Sequence, residues 1–437
     1  MTGRAAVGLV VATVLFLADP PGSLAQPATG AVGITTGSIT VDELVGQALR
    51  QNAELAAVRA DVDAALGRLR QAGLRPNPML DLAGQQNVSG PDNNVSVGVT
   101  LPLDLNGRKG GRIGVAEGEL AIKRAQVAER ERRLRSEVRM KAGEALAAAR
   151  NVEVTGELLD VNRTALRLTQ ERVRTGAAPT LEGSLMEVEV NRLDATRQVL
   201  ESRLEVLRLQ LKALVGLEPE QPLTLRGELD GSDVRLERAE GLARALALRP
   251  DLEAARADVA LARARVRKEE AEGRWDASVN VGYQRQETGF MLNGLTDRGG
   301  TRPIQDVFHM IGGGITITLP VRNRNQGNVQ AAGAEVRAAE RRREFLELQI
   351  RQEVAAAFTQ SEVARRSLAL YARGVREVAR RNLDVVRQSQ GLGRIPLLEL
   401  IAEQRRYIEV EMGYTDALKQ AWDGAVEVER AVGTGPR

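Results

Sequence analysis

The chain has 437 residues, with 61 basic against 58 acidic side chains and a formal net charge of +3. Only 5 Phe, 2 Trp and 4 Tyr stand beside 43 Gly, too few bulky side chains for a large aromatic-rich enzyme core. Cysteine is absent and histidine occurs once, which excludes disulfides, thiol nucleophiles, cysteine zinc sites, iron–sulfur clusters and any site needing two histidines; the near-balance of charge gives no basic footprint for nucleic acid.

The first element is a targeting segment. Met1–Arg4 is a short basic start, Ala5–Ala18 an apolar run, and Ser23-Leu24-Ala25 a small-x-small cleavage site, so residues 1–25 read as a secretory signal peptide. The run is shorter than the roughly 20 apolar residues of a membrane anchor and is closed by Asp19-Pro20-Pro21. No Cys follows it to carry an N-terminal lipid. Residues 26–39 form an N-terminal extension.

Residues 40–230 make a first structural repeat. Thr40-x-x-Glu43 is a capping box opening a helix through about Leu74, and Arg75-Pro76-Asn77-Pro78 stops it. A strand pair follows over 78–105: Met79 to Gln86, a turn at Gly90-Pro91-Asp92-Asn93, then strict alternation. Val95, Val97, Val99, Leu101, Leu103 and Leu105 share one face; Asn94, Ser96, Gly98, Thr100 and Asp104 share the other. The glycine-rich stretch Gly107–Gly114 lacks the Gly-Lys-Ser/Thr ending of a phosphate loop and reads as a turn. A proline-free helix is then predicted over 111–175 and a returning helix over 180–216. Leu120, Val127 and Leu134, then after a stutter Val138, Ala145, Val152, Leu159, Leu166 and Val173, form a heptad seam. Met140, Ala147, Val154, Val161 and Leu168 form a second seam on roughly the opposite side. Two seams imply neighbours on both sides, a wall of side-by-side helices.

Residues 231–432 repeat the plan: a helix, a strand pair over 275–321, a long helix over 327–390, and a helix over 396–432, with 433–437 a tail. Arg59-Ala60-Asp61-Val62 recurs as Arg256-Ala257-Asp258-Val259, Thr100-Leu101-Pro102 as Thr318-Leu319-Pro320, and the Gly-x-x-Pro turn at Gly176 and Pro179 as Gly393 and Pro396. The second copy is about 20 residues longer, in Glu287–Gln305. Val279, Val281 and Tyr283 share an apolar face, as do Ile311, Ile315, Ile317, Leu319 and Val321, giving four strands of about ten residues in all. Trp275, Tyr283 and Phe308 are placed as membrane-interface anchors, and His309 beside Phe308 as structural. The seven methionines show no paired spacing. No catalytic constellation, cofactor motif or metal site emerges.

A secretory signal with strands apolar on one face and polar on the other is the pattern of outer-membrane β-strands. The lipid-facing residues are Val95, Val97, Val99, Leu101, Leu103, Val279, Val281, Ile315, Ile317 and Leu319. Four strands cannot close, because the smallest such barrels use about eight and an open edge in hydrocarbon leaves backbone groups unpaired, so copies must pool strands. A soluble coiled-coil scaffold is the competing reading.

With these residues in view, the sequence resembles the TolC family of outer-membrane efflux ducts. The resemblance rests on the duplicated strand pair and long helices, Arg75-Pro76-Asn77-Pro78, Leu101–Arg108, Leu319–Gly327 and the two Gly-x-x-Pro turns. It is nearest the branch serving heavy-metal tripartite pumps of the cobalt–zinc–cadmium type. It implies an α+β membrane protein, a homotrimer whose pooled four-strand sheets make a 12-stranded outer-membrane β-barrel continued by a periplasmic α-barrel of coiled-coil helices. It implies as partners a periplasmic adaptor and an inner-membrane pump of the RND type, with heavy-metal cations or small toxic compounds as cargo; a protein-secretion duct shares the architecture. By resemblance, Arg172, Arg174, Gly176, Pro179 and Leu181, with Arg387, Gly391, Gly393, Pro396 and Leu398, are periplasmic tips that meet the adaptor. The second tip carries two glycines, Gly391 and Gly393, which leaves open the residues that make the pairing contacts there.

Overall fold

The computed structural model describes residues 38–88, 92–229 and 236–433. The signal peptide, most of the N-terminal extension, the Gly90-Pro91 part of the first hairpin turn and residues 434–437 of the tail lie outside the described residues.

The capping box forms as expected: Thr40 Oγ1 accepts from the Glu43 N–H, and the Glu43 carboxylate accepts from the Thr40 N–H at 2.8 Å. The helix it opens is two helices, α1 (Val41–Gln51) and α2 (Ala53–Ala72). The break is Asn52, extended at ψ 120°, whose Oδ1 caps α2 through the Leu55 N–H and whose Nδ2 donates to Leu214 O, both at 2.9 Å. Pro250 imposes the same break in the second repeat. There α5 (Arg238–Leu248) gives way to α6 (Pro250–Glu272) at the extended Arg249, whose buried guanidinium is paired with Asp251 and Glu353 at 2.6 and 2.7 Å.

The four strands form one antiparallel sheet in the order β1 (Met79–Gln86), β2 (Asn93–Pro102), β3 (Asp276–Leu295), β4 (Thr301–Thr318). The uniform ten-residue length fails for the second pair: β3 has 20 residues and β4 has 18. The extra residues of the second repeat continue the β3–β4 ladder past Asn93↔Glu287, where β2 ends, to a turn at Thr296–Gly300. Leu103 and Leu319 lie just beyond their strands, the former tied back by its N–H to Ala277 O at 3.0 Å.

Beyond the sheet the chain is helical. The helix α3 (Arg108–Arg174) runs 67 residues without interruption, about 100 Å, and α4 (Thr180–Val215) returns along it. Its counterpart is α7 (Gln326–Leu370), a π-helical turn at Tyr371–Val375, and α8 (Arg376–Gly391), with α9 (Leu397–Val432) returning. The first seam of α3 is the core one, with Leu120, Leu134, Val138, Ala145 and Leu159 buried; in the second seam Val161 and Leu168 are exposed in the single chain. Several glycines serve helix contact. A Cβ on Gly118 would lie 2.9 Å from Leu261 Cβ of α6, and one on Gly143 would lie 2.6 Å from the Trp422 ring of α9.

Candidate functional site

Three places on the chain carry the predicted residues: the sheet, the junction below it and the helix tips. In the sheet, directly paired residues share a face. The ladder sets Leu82 opposite Val97 and Val97 opposite Tyr283, then Tyr283 opposite Ile311, and likewise aligns Leu80, Val99 and Val281, and Leu101, Val279 and Ile315. The predicted apolar residues of all four strands therefore form one continuous face, with Asp81, Ser96, Gly98, Asn280, Gly282 and Gly314 on the other. Val95, Val97, Val99, Leu101, Val281, Ile315, Ile317 and Leu319 are exposed, whereas Val279 and Leu103 are half-buried. Among the described residues β1 and β4 each pair on one side only, so the sheet has two open edges.

Phe308 departs from the expectation that, with Trp275 and Tyr283, it is a membrane-interface anchor. It pairs with Gln286, on the polar face, while Tyr283 is on the apolar one. His309 is on the apolar face, with its Nδ1 2.6 Å from the Tyr283 hydroxyl and the rings stacked at 6.0 Å.

At the junction, the Gly107–Gly114 stretch is a turn and helix start. Gly107, at φ 84°, precedes α3, and the Asp104 carboxylate takes both Arg112 terminal nitrogens at 3.0 and 2.6 Å. Arg108 crosses to the other repeat, reaching Asp276 at 3.0 Å and the carbonyls of Glu272 and Arg274. The two strand pairs are thereby clamped at the ends from which the long helices depart.

The two tips are built alike. Gly176 at φ 76° and Gly393 at φ 71° each end a helix in the left-handed region that favours glycine. The following N–H returns to the helix, Ala177 to Arg172 O at 2.7 Å and Arg394 to Ser389 O at 2.9 Å. Pro179 and Pro396 are the extended residues immediately before α4 and α9, and Leu181 and Leu398 stand exposed in the first turn of each. Gly391 is the last residue of α8, so Gly393 is the structural counterpart of Gly176. Arg172 and Arg174 are exposed and Arg387 is half-buried. The tips sit at one end of the molecule, because Met186 of α4 packs with Leu383 of α8 and Leu397, Leu400 and Ile401 of α9.

Two polar clusters between the hairpins had no sequence signal, since a glutamate in a charged helix looks like any other. Glu189 of α4, 1% exposed, accepts from Arg192 at 2.6 Å and from Arg405 of α9 at 2.8 Å. Burial alone would raise its carboxyl, but the Arg192 and Arg405 hydrogen bonds outweigh it and hold the group below its ordinary value of 4.5. Nearer the sheet, the buried Glu411 accepts from Arg376 at 2.7 Å. The Tyr414 ring faces the guanidinium groups of Arg376 and Arg150 at 4.8 and 5.3 Å. Arg376 directly follows the π-helical turn.

A sheet apolar on one face, open at both edges and continued by paired helices about 100 Å long is the protomer of an outer-membrane channel. The chain matches the model of the outer membrane efflux protein family over residues 44–217 and 241–434 and belongs to that family. It is 24% identical over 436 residues to the cobalt-zinc-cadmium resistance protein CzcC of Cupriavidus metallidurans, covering 98% of each chain. Among solved structures it is similar to CusC, described for transmembrane channel formation, with a TM-score of 0.73 at 16% identity over 93% of this chain and 96% of that one. The outer membrane protein VceC of Vibrio cholerae matches with a TM-score of 0.67 at 19% identity over 90% and 96%. The fold is thus that of the TolC-like outer-membrane channels. No described helix is long and apolar enough to cross a membrane.

Proposed function

We propose that this chain is the exit duct of a tripartite efflux system, a passive outer-membrane channel that carries heavy-metal cations or small toxic compounds from the periplasm to the exterior. The observation that carries the reading is the unfinished sheet: an apolar face with two open edges is unstable in lipid until the β1 edge of one copy meets the β4 edge of the next. Three copies close a barrel of twelve strands. The helices support the same assembly, because α4 exposes Val188, Val199 and Val206, and α7 exposes Phe345, Val363 and Leu370. In a ring of copies these rows meet as the coiled-coil seam each lacks alone.

The tips around Gly176 and Gly393 then form the periplasmic mouth, where an adaptor hairpin docks and through which an inner-membrane pump of the RND type delivers its cargo. The full-length likeness to a cobalt-zinc-cadmium resistance protein favours metal cations as that cargo. Light scattering on the detergent-extracted protein, corrected for bound detergent, is expected to return three times the mass of the mature chain. A soluble monomer or dimer would overturn the channel and leave a periplasmic scaffold. Loss of zinc, cobalt or cadmium tolerance on deletion, restored by this gene, tests the cargo, and unchanged tolerance to all three would remove it.

A further inference from the structure

The two faces of the β3–β4 hairpin exchange character along its length. From the helix end upwards the lipid-side face carries Ile317, then Val279 with Ile315, then Tyr283 with Ile311. Past that level it becomes polar: Arg285 lies opposite His309, Glu287 opposite Val307 and Gly289 opposite Gln305, with Arg285 and Glu287 ion-paired at 2.5 Å. This change marks where the lipid-facing band ends. The opposite face changes the other way. It begins with small or polar residues, Ser278 with Thr316, Asn280 with Gly314 and Gly282 with Gly312, then presents Met310 opposite Gln284 and Phe308 opposite Gln286, and turns polar again at Asp306 opposite Thr288. These two bulky apolar side chains are each more than 40% exposed in the single chain, on the side a barrel turns to water.

Exposed apolar bulk on the water side of a strand is costly unless it meets its own kind. In a threefold barrel it does so at one level. Twelve strands spaced about 4.8 Å apart and tilted about 40° make a ring about 24 Å across at the backbone. Three phenylalanines reaching inwards narrow it to about 10 Å at the level of Met310 and Phe308, where all four strands of each copy are still paired. Below that level the lumen is lined by Gly98, Gly282, Gly312 and Gly314 and is wide.

We propose that Phe308 and Met310 of three copies form an apolar collar inside the outer end of the barrel, a constriction that selects departing solutes by size and hydration. The proposal rests on the trimeric-barrel reading. A bore of this width lined by hydrocarbon disfavours a continuous water column and opposes return of large hydrated solutes from outside, while a pump driving cargo outwards overcomes it.

The chain has no cysteine, so one introduced thiol is the only thiol. Thr316→Cys places it in the lumen beneath the collar, and Val281→Cys places it on the lipid face. Intact cells carrying Thr316→Cys are treated from outside with a maleimide–polyethylene glycol too large for general porins. Labelling is expected to be slow, and to accelerate about tenfold when Phe308→Ser and Met310→Ser are added. Phe308→Ala alone gives a smaller acceleration in the same direction, and trimers are confirmed by mass for every variant. An unchanged rate in assembled trimers overturns the collar and leaves the barrel standing. If, in assembled protein, a small water-soluble maleimide labels Val281→Cys faster than Thr316→Cys, the inside and outside of the sheet are reversed. The barrel reading then fails together with the collar.

Discussion

Replacing Gly143 with Ala should destabilise the protein although alanine is the better helix former. Gly143 lies within α3, and the added methyl would sit 2.6 Å from Trp422 Cδ1 and 2.7 Å from its Nε1. The ring cannot retreat freely: it packs among Val41, Ala142, Ala147, Leu229, Leu418 and Val426, and its Nε1 donates to Arg139 O at 2.9 Å. Overpacking of this kind costs about 1–3 kcal/mol, and a buried indole N–H torn from its acceptor costs about 1–3 kcal/mol more. The gain from removing a helical glycine is only about 1 kcal/mol. The net expectation is a loss of roughly 1–5 kcal/mol. Gly67→Ala in α2 is the matched control, since that glycine is exposed and a Cβ there meets nothing within 4 Å; it should gain about 0.5–1 kcal/mol. Denaturation midpoints of the two variants, with Trp422 emission followed in a Trp275→Phe background, decide the matter. If Gly143→Ala matches or exceeds the parent with emission unchanged, the close α3–α9 contact is wrong.

The buried Glu189 has a folded-state pKa below 4.5, so its stabilisation is complete above about pH 4.5 and is lost as pH falls through the folded value; hydrogen exchange in α4 and α9 should accelerate over that window, and Glu189→Gln should remove this component. Removing both Arg192 and Arg405 leaves the carboxylate buried and alone and should cost about 3–5 kcal/mol, read as a lowered denaturation midpoint. At the tips, Gly176→Val and Gly393→Val force a β-branched residue into φ 76° and 71°, a local cost of at least about 1–2 kcal/mol that remodels the reversal but not the barrel. Adaptor crosslinking and efflux should fall while trimers persist; normal values in both variants would refute docking at these turns.

Much of this architecture is written locally. The cores of the period-two runs, the capping box at Thr40, the long helix α3 and the glycine three residues before proline each depend on a few neighbouring residues and form where the sequence places them, whereas the 327–390 stretch is interrupted by the π-helical turn at Tyr371–Val375. The duplication supplied the rest of the plan, because the same local signals recur in the same order. What failed was non-local. Asn52 reads as one more polar helical residue until Leu214 supplies the carbonyl for its side chain. The length of β3 is set by pairing with β4 rather than by alternation, so Glu287–Leu295 extends a ladder where composition alone suggested an insertion. Phe308 reads as an interface anchor like Trp275 and Tyr283 because all three are aromatics near strand ends, but only the register between strands assigns Phe308 to the face opposite Tyr283. Glu189 shows the same limit, as its partner Arg405 comes from the other repeat. Periodicity and caps are properties of adjacent residues and so belong to the sequence. Register, burial and the choice of partner are settled between segments far apart in the chain, and only the tertiary structure decides them.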